Sequence, residues 1–329
     1  MTDSLRQLRR VYTPAQVAAD TMDLVDKRMA QRSARLTTGV QILDHFMRPV
    51  MPGEIIFVLA YTSHGKTAFM QSWAREVVGQ LQEHEDQNEI VVYITWETLV
   101  EELGLYDLCG MTGVDSTTAW YGDATEAEVQ KLRIAAMKRA GMPLWVLGDS
   151  LKRRRDGGPL TMKTVSESLL VLEKEYQVKP AIIFIDFLQR IPAANDRDDP
   201  RVQTIKNTDA LQQLSRDCAA PVVIGCQAGR QVLSRDFKVP ELGDALESSR
   251  IEQDADKVLA LWYPIKTENE GTTISELGEP AVTVDPNLMI CGIRKQRHAA
   301  SGQVFPLHFD PARNTFTTWR QGIDMEEYR

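Results

Sequence analysis

No run of apolar residues in this 329-residue chain approaches the roughly 18 that a membrane-spanning helix needs. The N-terminus, MTDSLRQLRRVYTP, carries no hydrophobic signal core, so a cytoplasmic protein without membrane contacts is expected. Cysteine is scarce. The four residues Cys109, Cys218, Cys226 and Cys291 are widely scattered, with neither a CxxC pair nor a zinc spacing, which leaves reduced core thiols as the expectation. Repeats and low-complexity tracts are missing too. So is any excess of positive charge: the formal net charge is −8, which argues against a protein that coats nucleic acid with its whole surface. A local basic lining stays compatible with that charge, because a few Lys and Arg residues in one place suffice for phosphate contacts. Basic clusters occur at 27–35 (KRMAQRSAR), 152–155 (KRRR), 230–238 (RQVLSRDFK) and 294–298 (RKQRH), and the first two read as solvated surface charge.

Hydrophobic residues make up 43% of the chain, enough to fill the core of one large α/β domain or two small ones. The first segment reads as a lone helix. Thr13 can cap it, Pro14 suits its first turn, and Gln16 completes a T-x-x-Q capping box. Ala18, Met22, Val25 and Met29 then form one narrow apolar stripe that must pack on something, its own core or a neighbouring subunit. From about residue 38, strand-like runs alternate with helix-like segments: 54–59, 90–95, 144–147, 181–186, 222–227 and 257–262, then 288–293, 303–309 and 315–319. The early runs are continuously apolar, as expected of parallel strands covered by helices on both faces. The last three, joined by short connections, read as an antiparallel extension at one edge. The economical division is an N-terminal helical arm over residues 1–36 and one α/β domain over 37–329.

The stretch 55–74, IIFVLAYTSHGKTAFMQSWA, reads as a buried strand, a tight loop and an apolar helix. A phosphate loop needs inward-pointing backbone N–H groups, a lysine for the β and γ phosphates and a hydroxyl for Mg²⁺. Gly65 permits the close turn, Lys66 supplies the charge, Thr67 the metal hydroxyl, and the helix that begins there adds its positive dipole end. Ala60 stands where the usual pattern has its first glycine. The nucleotide-binding stretch expected here is Ser63, His64, Gly65, Lys66, Thr67 and Ala68. His64 is expected to tolerate exposure where the backbone wraps the phosphates; a phosphate contact would instead raise nucleotide affinity as pH falls towards about 6.5. Asp186 ends the run AIIFID, placed to hold Mg²⁺ directly or through water. Glu97 falls just past the run IVVYIT, where a carboxylate can deprotonate an attacking water, and Gln227 ends VVIGCQ, where an amide can sense the γ-phosphate. A strand-end acid alone is more often a helix cap; two of them with a phosphate loop make a hydrolytic site.

These blocks, in this order, resemble the C-terminal ATPase domain of DnaB-type hexameric replicative helicases, a RecA-like fold. The resemblance runs over about residues 13–320: RLTTGVQILDHFMRPVMPGEIIFV, AYTSHGKTAF, VVYITWE, IIFIDFLQ, PVVIGCQAGRQ, ALESSRIEQDAD and IRKQRHAASG. ALESSRIEQDAD is the most specific of them. The phosphate loop of that family commonly begins with alanine, so Ala60 fits it. The resemblance implies a RecA-like P-loop NTPase core with ATP and Mg²⁺ as cofactors. It implies catalytic roles for Lys66, Glu97, Asp186 and Gln227, with Thr67 and Asp186 at the metal. It further implies that Lys295 and Arg297 act in trans on the γ-phosphate of the adjacent subunit, hence a homo-oligomeric ring or spiral, and that the N-terminal helix docks on the next subunit. By the same resemblance the loops after Gln227 and around 244–250 line a channel for single-stranded DNA, with Arg230, Arg235, Lys238, Ser248, Ser249 and Arg250 as the contacts. Two departures stand out. The family's basic residue and glycine in ALESSR are replaced by Leu246 and Ser249, with a basic residue at Arg250, and the family's helical N-terminal domain is expected to be absent. The stretches 149–160 and 266–287 read as surface loops or insertions that could serve a loader or other partner protein.

The leading expectation is an ATP-driven ring or spiral that translocates on single-stranded DNA and unwinds duplexes during replication. The alternative is a RecA-like ATPase without unwinding activity, a regulatory, loading or targeting subunit of a phage, plasmid, transposon or defence system. A RecA-type recombinase filament fits less well, and a nonhydrolysing scaffold least, since every catalytic position is filled.

Overall fold

The computed structural model describes residues 12–30, 36–83, 88–152, 158–192, 199–246, 248–277 and 281–319. The chain divides into two compact units, Met1–Arg35 and Leu36–Arg329. In the first, α1 (Pro14–Ala30) begins at a capping box: the Gln16 N–H donates to Thr13 Oγ1 at 3.3 Å and the Thr13 N–H donates back to Gln16 Oε1 at 2.9 Å. Two of the orphan donors of the first turn are thereby satisfied. The stripe of Ala18, Met22, Val25 and Met29 is exposed.

The second unit opens with α2 (Gln41–Phe46), β1 (Ile55–Ala60) and α3 (Lys66–Glu83), then β2 (Glu89–Thr95). Three helices follow, α4 (Val100–Thr112), α5 (Ser116–Tyr121) and α6 (Glu126–Arg139), before β3 (Leu144–Leu147). The chain continues through α7 (Met162–Tyr176), β4 (Lys179–Asp186), α8 (Pro200–Asp217), β5 (Val222–Gln227), α9 (Ser248–Asp254) and β6 (Lys257–Trp262). It ends with β7 (Thr273–Ile274), β8 (Val282–Thr283), β9 (Leu288–Gln296), β10 (Val304–Asp310) and β11 (Thr315–Thr318).

Nine of these strands form one sheet in the order β11-β10-β9-β6-β1-β5-β4-β2-β3. The six from β6 to β3 run parallel, and β9, β10 and β11 extend the sheet antiparallel. The continuous apolar runs explain this. Every residue of β1 is buried, and alternate side chains feed opposite faces. Ile56 and Val58 join Phe69, Met70, Trp73 and Val77 of α3, while Ile55, Phe57 and Leu59 join Leu169 of α7 and Leu211 and Leu214 of α8. Full burial of each such side chain stabilises the fold by about 1.5–3 kcal/mol, so an α/β sandwich is the arrangement that leaves neither face wet.

The 266–287 stretch departs from a plain surface loop. Its β7 and β8 pair as a short hairpin, and Ile274, Val282 and Val284 are buried against Trp262, Leu288 and Trp319 in a small core of their own. The alternation in TTIS and AVTV carries that signal, short enough to be hidden by the surrounding polar residues. In the 149–160 stretch, residues 153–157 lie outside the described part.

Because β5 lies between β1 and β4, with β2 beyond, the carboxyl ends of four neighbouring strands line up along one edge. In open α/β sheets this edge is where ligands bind.

Candidate functional site

At the carboxyl end of β1 the chain turns sharply. Ser63 and Gly65 both have left-handed backbones, φ 65° and 78°, and the His64 N–H donates to Tyr61 O at 3.2 Å. Gly65 is required twice over, by its φ and because a Cβ there would come within 2.7 Å of Met289 Cε. A turn of this kind presents successive N–H groups to one concave side, a cradle for anions, and α3 begins at once with Lys66.

The lysine stem crosses β5 at a glycine: a Cβ on Gly225 would meet Lys66 Cδ and Cε at 3.0 Å. Lys66 Nζ then lies 4.2 Å from the centre of the Phe187 ring and forms no salt bridge among the described residues. Beside it, Asp186 at the end of β4 is fully buried. Burial pushes its carboxyl pKa up, against the opposing pull of the Lys66 charge and of hydrogen bonds from Thr67 and Tyr93. The Tyr93 hydroxyl donates to Asp186 Oδ2 at 3.2 Å, while Oδ1 has no hydrogen-bond partner among the described residues. A buried carboxylate oxygen without a partner, next to a threonine hydroxyl, is the hard donor set that Mg²⁺ takes, so Asp186 and Thr67 fit that ion.

Glu97, past the end of β2, is exposed and lies 3.5 Å from the Arg190 guanidinium. Gln227, ending β5, donates from Nε2 to Thr62 Oγ1 at 2.7 Å, so the amide already touches the phosphate loop. Lys66, Thr67, Glu97 and Gln227 line one cleft of about 860 Å³, to which Tyr263, Phe309 and Asn314 also contribute. That volume suits a small-molecule ligand.

His64 corrects the expectation of exposure. It is 3% exposed and does not line the cleft; its Nδ1 accepts the Tyr263 N–H at 3.0 Å. Burial, with a smaller push from Lys266, takes its pKa down to about 4. The ring is therefore neutral at pH 6.5, and the rise of affinity that a phosphate contact would produce towards that pH has no charge to drive it. Of the nucleotide-binding stretch, His64 contributes its backbone to the loop and its side chain elsewhere.

Lys295 and Arg297 lie at the other end of the sheet. Lys295 is level with Val258 and Phe57, and the Arg297 N–H donates to Asp256 O, level with the start of β1. At about 3.3 Å per strand residue, that is ~10–16 Å below the beginning of their own phosphate loop, beyond side-chain reach. Arg297 pairs with Asp256 at 3.0 Å, and Lys295 Nζ donates to the Glu252 carbonyl. Burial, reinforced by the Arg297 charge, lowers the Lys295 pKa.

The DNA candidates share one region, because Ala228 bridges to Ala245 and α9 packs on the turn at 242–244. Most of their charge is already spent within the chain, unlike the free basic lining expected. Arg235 forks onto Asp244, with one bond of 2.6 Å. Lys238 pairs with Glu268 and stands over the Trp262 ring. Arg250 pairs with Asp209 and with Asp254. Arg230 is exposed and, alone among the four, forms no salt bridge among the described residues. The side chains of Ser248 and Ser249, and Glu247 beside them, lie outside the described part.

Sequence reasoning missed Tyr93, Phe187, Arg190 and Gly225. Gly225 had a usable signal, since an isolated glycine within a buried strand marks close approach of another group. The others depend on which strands are neighbours, which no local pattern states.

A family model described as the DnaB-like helicase C terminal domain matches residues 35–318. The chain is 26% identical over 294 residues to the replicative DNA helicase DnaC of Bacillus subtilis, covering 88% of this chain and 58% of that protein. It is 23% identical to the replicative DNA helicase DnaB of Helicobacter pylori, over 91% of this chain and 59% of the other. The chain thus spans about half the length of the curated relatives it matches, 44% in the case of the Rickettsia bellii replicative DNA helicase DnaB. Among solved structures, a DnaB-like replicative helicase studied with its primase interactions superposes with a TM-score of 0.72 at 20% identity, over 92% of this chain and 66% of its own. A solved ATPase domain superposes equally well, TM-score 0.72 at 20% identity, over 92% of this chain and 98% of its own. At these identities the superpositions speak for a RecA-like fold.

Proposed function

Since the chain belongs to the DnaB-like helicase C-terminal domain family, we propose that it hydrolyses ATP in a ring or spiral of identical subunits and uses the energy to move along single-stranded DNA, unwinding duplex during replication. The observation that carries the hydrolytic part is the buried Asp186 Oδ1, without a hydrogen-bond partner among the described residues, on the carboxylate beside Lys66 and Thr67. In this reading the loop from Ser63 to Ala68 wraps the phosphates with its N–H groups, and Lys66 neutralises charge on the β and γ phosphates. Thr67 and Asp186 hold Mg²⁺, which when bound neutralises charge developing on the phosphate oxygens. Glu97 orients the attacking water and takes its proton, and it must first leave Arg190 or turn about it. Gln227 senses the γ-phosphate and relays its loss through Thr62 and through the loop at 228–239.

Lys295 and Arg297 would serve a neighbour's nucleotide, because their own loop is out of reach; Arg297 would exchange Asp256 for the γ-phosphate when subunits meet. The exposed stripe of α1 is the proposed contact with the next subunit, as expected of an apolar face left uncovered. Arg230, Arg235, Lys238, Arg250 and the amides near Ser248 and Ser249 are the proposed DNA contacts, with a loader as a further partner. One observation favours the second reading, an ATPase of the same fold without unwinding activity: Arg235, Lys238 and Arg250 are held by carboxylates of their own chain. A forked-duplex strand-displacement assay alongside ATP hydrolysis separates the two. Hydrolysis stimulated by single-stranded DNA together with displacement supports the motor. Stimulated hydrolysis without displacement, with and without a loader, supports the second reading. No hydrolysis in any oligomeric form overturns both.

A further inference from the structure

The hydrolytic scheme leaves His64 without a task, although it sits in the middle of the phosphate loop. Its ring is buried, its Nδ1 accepts the Tyr263 N–H at 3.0 Å, and its other aromatic neighbour is Tyr61, ring centres 5.8 Å apart. Tyr263 follows β6 directly. It lines the same cleft as Lys66 and Glu97, packs edge-on against Phe309 at 5.3 Å, and donates its hydroxyl to Pro286 O at 2.6 Å. Tyr263 is therefore pinned at Pro286, and the phosphate loop is pinned to Tyr263 through His64.

We infer that His64 is a positioning residue that holds the phosphate loop in its nucleotide-ready form by accepting the Tyr263 backbone N–H. The inference rests on the reading of this cleft as a nucleotide site. Two left-handed residues, Ser63 and Gly65, flank His64, and Ser63 has a Cβ that disfavours that conformation. Such a backbone persists where its surroundings over-determine it. Here the fixed point is the imidazole between the two, since the His64 backbone follows wherever its ring is anchored. The anchor needs an acceptor at Nδ1. A neutral ring with its proton on Nε2 supplies one, and the buried surroundings that keep the ring uncharged preserve it. An apolar side chain of similar volume would leave the Tyr263 N–H buried without a partner and free the loop to leave its left-handed turn.

Two substitutions in the full chain separate this from mere space-filling. His64→Leu removes the acceptor; His64→Asn keeps an amide oxygen where Nδ1 stands. With a fluorescent ADP analogue as the probe, His64→Leu should bind on the order of tenfold more weakly than wild type, with KM for ATP raised by a similar factor and kcat within about twofold. His64→Asn should recover most of the loss. Hydrogen exchange gives an independent reading: the Tyr263 amide should be protected in wild type and in His64→Asn, and exchange faster in His64→Leu. Equal binding by the two variants, or a Tyr263 amide that exchanges freely in wild type, overturns the inference. If His64→Leu does not fold, the wild-type amide and the His64→Asn affinity still decide. A wild-type chain that binds no ADP analogue overturns the nucleotide reading and the inference with it, whereas tight wild-type binding with indifferent variants overturns the inference alone.

Discussion

The phosphate cleft and the loop cluster at 228–254 use the same chemical groups in opposite ways. At the phosphate site, among the described residues, Lys66 rests over Phe187 with no salt bridge, Asp186 keeps an oxygen without a partner, and Glu97 makes a long exposed contact to Arg190. In the loop cluster, Arg235, Lys238 and Arg250 are each neutralised by a carboxylate of the same chain. The first region carries unmet electrostatic demand, which a nucleotide and its metal would satisfy. The second satisfies its own and thereby holds three irregular segments in shape. A polar site announces a ligand through what it leaves unpaired, whereas paired charges announce architecture first.

The strongest way to break that contrast is at Lys66. If its free charge exists for the phosphates, Lys66→Ala should lower ATP hydrolysis by at least about 100-fold, read as steady-state phosphate release, with thermal stability nearly unchanged. The stability clause matters, because the carboxylate beside Lys66, Asp186, is also held by the Tyr93 hydroxyl and, its pKa already pushed up by burial, can take up a proton when the lysine is lost. A fold that loses several degrees on this change would show that the lysine is structural after all.

The loop cluster answers to the opposite experiment. Asp244 is almost fully buried, takes the Arg235 fork and the Glu241 N–H, and caps its own turn. Arg235→Ala should therefore destabilise the fold by about 2 kcal/mol, discounted from the full cost of orphaning a buried carboxylate because Arg235 is itself partly exposed. Differential scanning calorimetry should show the melting temperature lowered by several degrees, whatever the change in affinity for single-stranded DNA. Lost DNA affinity without lost stability would mean that the pair opens on DNA, and the contrast between the regions would fall.

How much of this was legible in advance follows the same division. The parallel strands and their helices were readable because runs such as IIFVLA, and VVIGC before Gln227, are apolar at every position, a pattern with few alternatives in a chain of this length. That Lys66, Thr67, Asp186 and Glu97 belong to one place was suggested by the phosphate-loop pattern together with two strand-end acids, each of which alone is more often a cap. The position of the His64 side chain was not, since it depends on β6 lying beside β1, a fact of topology rather than of the loop. Nor was the pairing of the basic residues: Lys238 meets Glu268 across 30 positions and Arg250 meets Asp209 across 41. Charge clusters in a sequence count cations; only the fold says which are already spoken for.

Arg230 is where the contrast can be sharpened rather than broken. It begins the turn after β5, two residues past Ala228 and three past the proposed sensor Gln227, and it is exposed without a carboxylate partner among the described residues. It is thus the one candidate in the loop cluster that resembles Lys66 in having charge to spare. A single exposed phosphate contact contributes little, so Arg230→Ala should weaken binding to single-stranded DNA only a few-fold at moderate salt, with stability unaffected. The diagnostic is the salt dependence: the slope of log affinity against log salt should fall by about 0.7 if one phosphate contact is lost. The same substitution should also reduce stimulation of hydrolysis by DNA, because Arg230 sits on the segment that leads from Gln227. An unchanged slope would leave the loop cluster with no cation available to DNA in this form of the chain. Binding would then have to open one of its ion pairs, and the Arg235→Ala measurement says at what cost.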